Sequence, residues 1–99
     1  MNRDAIIAAL QAHADEIRLR GVTRLALFGS TARGDAKRES DVDLLVDIDR
    51  RRRFSLVELV ELESYLSSIL GRHVDITERD AGCRPRIRDA ILRDAVDVF

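Results

Sequence analysis

Segments with helical periodicity alternate with segments of strand periodicity along this chain, and the alternation limits the fold more than any other feature. Between Asp4 and Arg20, apolar residues recur every three or four positions, which predicts an amphipathic first helix that ends at Gly21. The next segment, Val22–Phe28, is continuously apolar in its second half and lies between two glycines, as expected of a buried strand.

A second strand and a second long helix follow. The residues from Asp41 to Asp49 alternate, with one face for packing, formed by Val42, Leu44, Val46 and Ile48, and one mostly acidic face, formed by Asp41, Asp43, Leu45 and Asp47. Ser55 and Glu58 have the spacing of a capping box with Ser55 as the N-cap, so a helix is expected from there to Leu70.

The last part of the chain predicts one more strand and one more helix. Gly71 stops the preceding helix, and the short run His73–Thr77 has the pattern of a third strand. Beyond a loop, a final helix is expected to start near Pro85. Its apolar stripe contains Ile87, Ile91, Leu92 and Ala95. This order of elements predicts an α/β or α+β fold with at least three strands.

Composition restricts the possible classes of function. The chain has 99 residues, and 17 basic against 18 acidic residues give a formal net charge of −1. This length fits a single domain, residues 1–99, and the balanced charge argues against a strongly basic nucleic-acid binder. Cys83 is the single cysteine, so no intrachain disulfide forms, and no apolar run approaches the roughly 20 residues that span a bilayer. We therefore expect a cytoplasmic protein, not a membrane protein, whose substrate platform comes from a partner.

The first chemical motif is the pair Gly29–Ser30 at the end of the first predicted strand. Glycine lets the backbone approach a phosphate closely, and exposed N–H groups and the Ser30 hydroxyl can donate to phosphate oxygens. Arg33, about one helical turn further, could add a charge-assisted contact to a triphosphate. An ordinary strand-to-helix turn with Ser30 as N-cap is the more frequent explanation of such a pair, so this signal is weak alone.

Asp41 and Asp43 give a stronger signal. Side chains two positions apart on a strand share a face and lie roughly 6.5 Å apart along it. Clustered carboxylates repel one another without a counter-ion, and their oxygens suit hard divalent cations. Asp75 lies between Val74 and Ile76, so it points away from the face that they bury and can reach the same cleft. The three carboxylates and the Gly-Ser turn predict a metal-dependent site that handles a nucleotide.

The order of these motifs resembles a known family. Gly29–Ser30 is followed by ten residues and then by Asp41-Val42-Asp43, which is similar to the signature of the minimal nucleotidyltransferases of the DNA polymerase beta superfamily. The resemblance covers essentially the whole chain. It implies the nucleotidyltransferase fold, an α/β (α+β) arrangement with a small mixed β-sheet of three or more strands flanked by helices.

The resemblance also implies roles for individual residues. Gly29 and Ser30 would bind the triphosphate of ATP, and Asp41 and Asp43 would hold two Mg²⁺ ions. Asp75 would complete the metal site and could act as general base on the attacking hydroxyl. Small members of the family resemble antitoxins that place AMP on a tyrosine of an all-helical HEPN ribonuclease toxin. The expected protein is therefore a protein adenylyltransferase that forms a hetero-oligomer with such a toxin and does not bind nucleic acid directly.

Two alternatives remain open at this point. The chain could be an antitoxin that neutralises its toxin by binding and occlusion alone, or a nucleotidyltransferase that acts on a small molecule or an RNA end. Other notable residues are interpreted as structural or surface residues: His13, His73, Tyr65, Cys83 and the run Arg50–Arg53. Neither histidine has a partner at metal-ligand spacing in the sequence.

Overall fold

The computed structural model describes residues 2–34, 41–49, 51, 54–78, 89 and 93–99. Its strands are β1 (Val22–Phe28), β2 (Val42–Ile48), β3 (Val74–Glu78) and β4 (Val96–Asp97). They form a sheet in the order β3–β2–β1–β4. β1 is antiparallel to both β2 and β4, whereas β2 and β3 are parallel. The predicted α/β fold with a small mixed sheet is confirmed.

The helices of the described residues are α1 (Arg3–Ala12), α2 (Ala14–Leu19), α3 (Gly29–Arg33) and α4 (Leu56–Leu70). The prediction of one unbroken helix from Asp4 to Arg20 is wrong at His13, which has φ −106° and ψ 15° and separates α1 from α2. The buried face continues across this break, so apolar periodicity could not report it.

A cluster of buried apolar side chains joins the helices to the sheet. Ile6, Ile17 and Leu62 come from three different helices and are almost completely buried. The strands contribute Leu25, Leu27, Val42, Leu44, Val46 and Val74. Leu45, which alternation places on the acidic face of β2, is also buried, and it pairs with buried Ala26 of β1. The centre of the sheet is therefore buried on both faces.

Both ends of α4 follow the predicted capping pattern. The Ser55 hydroxyl oxygen accepts a hydrogen bond from the Glu58 N–H at 3.2 Å, which satisfies one of the free donors of the first turn. At the other end, Gly71 has φ +65° and its N–H donates to the Ser67 carbonyl at 2.8 Å. The helix consequently starts and stops where the sequence indicates.

The C-terminal segment differs from its prediction. Ala95, expected in the apolar stripe of the final helix, lies outside any helix, and the next residues form β4 on the edge of β1. Backbone hydrogen bonds attach this segment to β1: the Val98 N–H donates to the Leu25 carbonyl at 2.8 Å. Asp89, Arg93 and Asp94 have helical backbone. Pro85, Ile87, Ile91 and Leu92 lie outside the described residues.

No helix in the described part of the chain combines the length and the apolar character that crossing a bilayer requires.

Candidate active site

The candidate site lies where β1 ends and where β2 and β3 begin. Because β1 is antiparallel to β2 while β2 is parallel to β3, these three strand termini lie at the same end of the sheet. Asp43 is the register partner of Phe28 on β1 and of Asp75 on β3. Gly29 and Ser30 directly follow Phe28 and begin α3. The structure thus brings the predicted turn and the predicted aspartates together.

The parallel register explains why Asp43 and Asp75 share a cleft. Val42 and Val74 are paired and fully buried, and successive side chains on a strand point to opposite faces. Asp43 and Asp75, each one residue further, therefore point away from the core beside one another. Neighbouring strands are about 4.8 Å apart, so two carboxylates at paired positions repel strongly when both are ionised.

This crowding changes the acidity of Asp43. Partial burial, and then the negative charges of Asp75 and Asp41, raise the pKa of Asp43 above its ordinary value, while the Arg33 guanidinium opposes the shift. Desolvation and like charges both disfavour the ionised carboxylate. A bound cation would remove this penalty, which makes the electrostatics of the site suitable for a divalent metal ion.

Gly29 is constrained by both its backbone and its surroundings. Its φ is +74°, a left-handed backbone conformation that residues other than glycine rarely adopt. A Cβ built on Gly29 would lie only 2.5 Å from Asp43 Oδ2. The absence of a side chain at this position therefore lets the turn approach the carboxylate closely.

Asp41 and Asp75 form a second group of donors together with His73. One ligand atom from each of the three residues lies within 4.8 Å of the other two. Asp41 Oδ1 is 3.3 Å from His73 Nδ1, and all three residues are exposed. Carboxylate oxygens and imidazole nitrogens at such separations fit a divalent cation. His73 is exposed, as expected of a surface residue, but strand pairing places it beside Asp41, a neighbour that the sequence did not indicate.

Arg33 has a partner that the sequence did not indicate. Its Nη1 atom lies 3.3 Å from Asp94 Oδ2 of the C-terminal segment. The guanidinium is close enough to the site to act on the pKa of Asp43. A contact of Arg33 with a triphosphate would therefore have to be shared or exchanged with Asp94, and that contact stays a prediction.

Apart from His73, the residues interpreted as structural or surface residues have contacts away from the site wherever the structure describes them. Arg51 Nε lies 3.2 Å from Asp49 Oδ1. Tyr65 packs against the core, and its hydroxyl is 3.3 Å from His13 Nδ1. Cys83 and residues 50, 52 and 53 lie outside the described part of the chain.

Comparison with known proteins places this geometry in a family. The family described as nucleotidyltransferase domain matches residues 10–98. Protein adenylyltransferase MntA of Thermococcus cleftensis is 41% identical over 96 residues, a match that covers 96% of this chain and 94% of that protein.

Solved structures agree with the sequence match. A candidate minimal nucleotidyltransferase superposes with a TM-score of 0.81 at 35% identity, over 97% of this chain and 95% of the other. The structure of a tri-AMPylated Shewanella oneidensis HEPN toxin in complex with its MNT antitoxin matches with a TM-score of 0.65 at 16% identity, over 94% of this chain and 71% of that chain. At that identity the second likeness supports the fold alone. The Gly-Ser turn, the paired aspartates and the family match over residues 10–98 together show that this chain belongs to the nucleotidyltransferase family and is an enzyme of that class.

Proposed function

We propose that this nucleotidyltransferase transfers AMP from ATP, with Mg²⁺, to a tyrosine hydroxyl of a HEPN toxin, and that it thereby acts as the antitoxin of that toxin. The observation that carries the proposal is the convergence of Asp41, Asp43 and Asp75 beside the Gly29–Ser30 turn. Such an arrangement can hold a nucleoside triphosphate and divalent cations at this end of the sheet.

The choice of acceptor is supported by the relatives. The Thermococcus cleftensis protein, 41% identical, is named a protein adenylyltransferase. The Shewanella oneidensis complex pairs an MNT antitoxin with a HEPN toxin that carries AMP groups. A toxin partner would supply the acceptor, and the pair would form a hetero-oligomer. We also propose a cytoplasmic location, which the single cysteine favours.

Each residue of the site has a chemical role in this proposal. The Gly29 backbone approaches the triphosphate, and the Ser30 hydroxyl donates to a phosphate oxygen. Asp75 accepts the proton of the attacking hydroxyl. The hydroxyl oxygen bonds to the α-phosphorus, the bond from that phosphorus to the bridging oxygen breaks, and pyrophosphate leaves.

Asp41, Asp43 and Asp75 are the residues that would hold the Mg²⁺ ions. When bound, Mg²⁺ would neutralise the negative charge that develops on the α-phosphate and on the departing pyrophosphate. The raised pKa of Asp43 fits this role, because a carboxylate crowded by like charges gains most from a nearby cation.

The proposal is tested by transfer of label from ATP labelled at the α-phosphate into the proteins and RNA of a host lysate, with Mg²⁺. Asp41→Ala/Asp43→Ala should reduce transfer by at least about 10²-fold, since electrostatic stabilisation at the reacting centre is lost. Asp47→Ala is the matched control: Asp47 is on the same strand but at its other end, where it pairs with Arg24 at 3.9 Å.

The outcomes separate the alternatives. Label on one protein, lost in the double variant, retained in Asp47→Ala and located on a tyrosine by mass spectrometry, supports adenylylation of a partner. Labelled RNA or metabolite without labelled protein contradicts the protein acceptor. Bound ATP without any transferred label contradicts catalysis and leaves neutralisation by occlusion.

A further inference from the structure

We propose that His73 is a metal ligand. With Asp41 and Asp75 it forms a set of one nitrogen and two oxygen donors that binds a borderline transition ion, Zn²⁺ or Co²⁺, in preference to Mg²⁺. An ion bound there occupies two of the carboxylates proposed to hold Mg²⁺ and therefore competes with it. This last consequence rests on the proposed function, whereas the binding of the transition ion does not.

The separation of the donor atoms fits zinc. Zinc lies about 2.0–2.1 Å from a histidine nitrogen and at a similar distance from a carboxylate oxygen, so two ligands of a tetrahedral ion are about 3.3–3.4 Å apart. Asp41 Oδ1 and His73 Nδ1 are 3.3 Å apart. One carboxylate oxygen of Asp75 lies within 4.8 Å of a ligand atom of Asp41 and of a ligand atom of His73, and the Asp75 side chain is exposed.

Backbone pairing fixes the two positions that supply the closest donors. Asp41 directly precedes β2, and His73 directly precedes the parallel strand β3. The Val42 N–H donates to the His73 carbonyl at 2.9 Å, and the next pair in register, Val42 and Val74, is fully buried. The core therefore fixes the backbone positions of Asp41 and His73 beside one another, although both side chains are exposed.

Asp43 shares the cleft with these three donors but is less exposed than they are. Its Oδ2 atom lies against Gly29, and the residue is half-buried while the three donors are exposed. Imidazole nitrogen favours zinc and the other later first-row ions, whereas Mg²⁺ takes oxygen ligands almost only. The exposed set thus has the chemistry of a transition-ion site, and Asp43 adds a carboxylate that an ion preferring oxygen can use.

The test is a metal titration of the full chain without nucleotide or partner protein. Co²⁺ is added while the visible absorption that reports a low-coordinate nitrogen and oxygen environment is recorded, Zn²⁺ is then used to displace it, and Mg²⁺ affinity is measured by calorimetry. His73→Ala should weaken Zn²⁺ binding by more than about 10–100-fold, because that range is already reached when groups that only support the ligands of a metal site are lost. It should change Mg²⁺ affinity by less than about twofold, because Mg²⁺ takes oxygen ligands almost only.

Two further variants separate a ligand from a supporting residue. His73→Cys keeps a donor that zinc accepts and should retain most of the Zn²⁺ affinity. His13→Ala removes the other histidine, which contacts Tyr65 away from the site, and should leave both affinities unchanged. Circular dichroism and thermal unfolding of each variant verify that it folds.

Two results would overturn the proposal. Unchanged Zn²⁺ affinity in His73→Ala means that the imidazole is not a ligand, and equal loss of Zn²⁺ and Mg²⁺ affinity means that it only positions Asp41. In the transfer assay, the Zn²⁺ concentration that halves Mg²⁺-supported labelling should rise at least about tenfold in His73→Ala, in step with the lost affinity. Failure of all labelling contradicts the proposed function and leaves the titration as an independent result.

Discussion

β2 carries aspartates at both of its ends, and the two ends differ in what surrounds those charges. At the end away from the site, Asp47 pairs with Arg24 at 3.9 Å and Asp49 with Arg51 at 3.2 Å. At the site end, burial and neighbouring carboxylates raise the pKa of Asp43. An alternating strand therefore does not by itself make a site. A site arises where the fold places acidic groups beside one another.

The end of the molecule opposite the site also has a different surface. Leu56, Val57 and Val60 of α4 are exposed by 75%, 66% and 54%, and Leu19 of α2 by 71%. A groove of about 420 Å³ lies between these two helices and is lined in part by Glu58 and Glu61. This end therefore combines apolar surface with ion-paired strand aspartates, whereas the site end is acidic and polar.

The largest expected difference between the ends is the response to Mg²⁺ and ATP. At about 100 times the dissociation constant, a ligand that binds only the folded state stabilises it by about 2.7 kcal/mol. Thermal unfolding of the wild type and of Asp47→Asn should show this stabilisation, and EDTA should abolish it. Asp41→Asn/Asp43→Asn should not respond. Stabilisation of the double variant by Mg²⁺ and ATP, or loss of that stabilisation in Asp47→Asn, would contradict the assignment of Mg²⁺ and ATP binding to the site end of β2.

Gly29→Ala should be the next largest effect, with Gly71→Ala as its matched control. Both glycines have positive φ, but a Cβ on Gly71 meets nothing within 4 Å, whereas one on Gly29 meets Asp43. Strained backbone of this kind costs about 1–3 kcal/mol. In chemical denaturation, we expect Gly29→Ala to lower the free energy of unfolding by more than Gly71→Ala does. It should also weaken Mg²⁺ binding, because the Asp43 side chain must move away from the added Cβ. Equal Mg²⁺ affinity in the two variants would contradict this role of Gly29.

Asp43→Asn should stabilise the metal-free protein at pH 7. The raised pKa means that the folded state binds the proton of Asp43 more tightly than the unfolded state, so ionisation of Asp43 opposes folding. Because Asp43 is only partly buried, solvent screens these repulsions, and removing the charge should add no more than about 0.5–1 kcal/mol. Denaturation at several pH values is the measurement.

The pH dependence has a defined sign. The stability of wild-type protein attributable to Asp43 is complete below the ordinary pKa of 3.8 and is lost as the pH rises through the higher folded-state pKa. The advantage of Asp43→Asn should therefore vanish in acid and also in saturating Mg²⁺. Asp47→Asn, which loses an ion pair, should give no gain at pH 7, and an equal gain in both variants would remove the distinction between the two ends.

The smallest expected effect is that of Val57→Ser on the opposite end. The side chain is 66% exposed, so its replacement should change the free energy of unfolding by no more than about 0.5 kcal/mol. Mg²⁺ affinity and transfer should equal those of the wild type. Loss of AMP transfer in this variant would show that the end opposite the site takes part in catalysis, and it would contradict the assignment of catalysis to the site end alone.

Much of the fold could be predicted because local signals were strong. β1 has the bounds that its apolar run and flanking glycines indicated, and α4 begins with the predicted hydrogen bond between Ser55 and Glu58. The break at His13 and the strand β4 could not be predicted in the same way. The first is a change of backbone dihedrals at one exposed residue, and the second depends on pairing with β1, far away in the sequence.

The candidate site divides along the same line. The spacing of Gly29, Ser30, Asp41 and Asp43 is local, so the sequence indicated these residues, and their chemical roles stay predictions for the experiments above. His73 was missed because its nearest donor, Asp41, is 32 positions earlier in the chain. The ion pair of Arg33 with Asp94 was missed for the same reason.

Local backbone preference and the alternation of side chains along a strand were enough to predict β1, β2, β3, α4, the Gly-Ser turn and the two-residue spacing of Asp41 and Asp43. They did not indicate the break at His13 or the strand β4. Three placements follow from the fold alone: Asp43 lies beside Asp75, Gly29 lies against Asp43, and His73 lies beside Asp41. The physical reason is strand register: burial of Val42 against Val74 fixes the pairing of β2 with β3, and a shift of one residue would turn every aspartate to the other face.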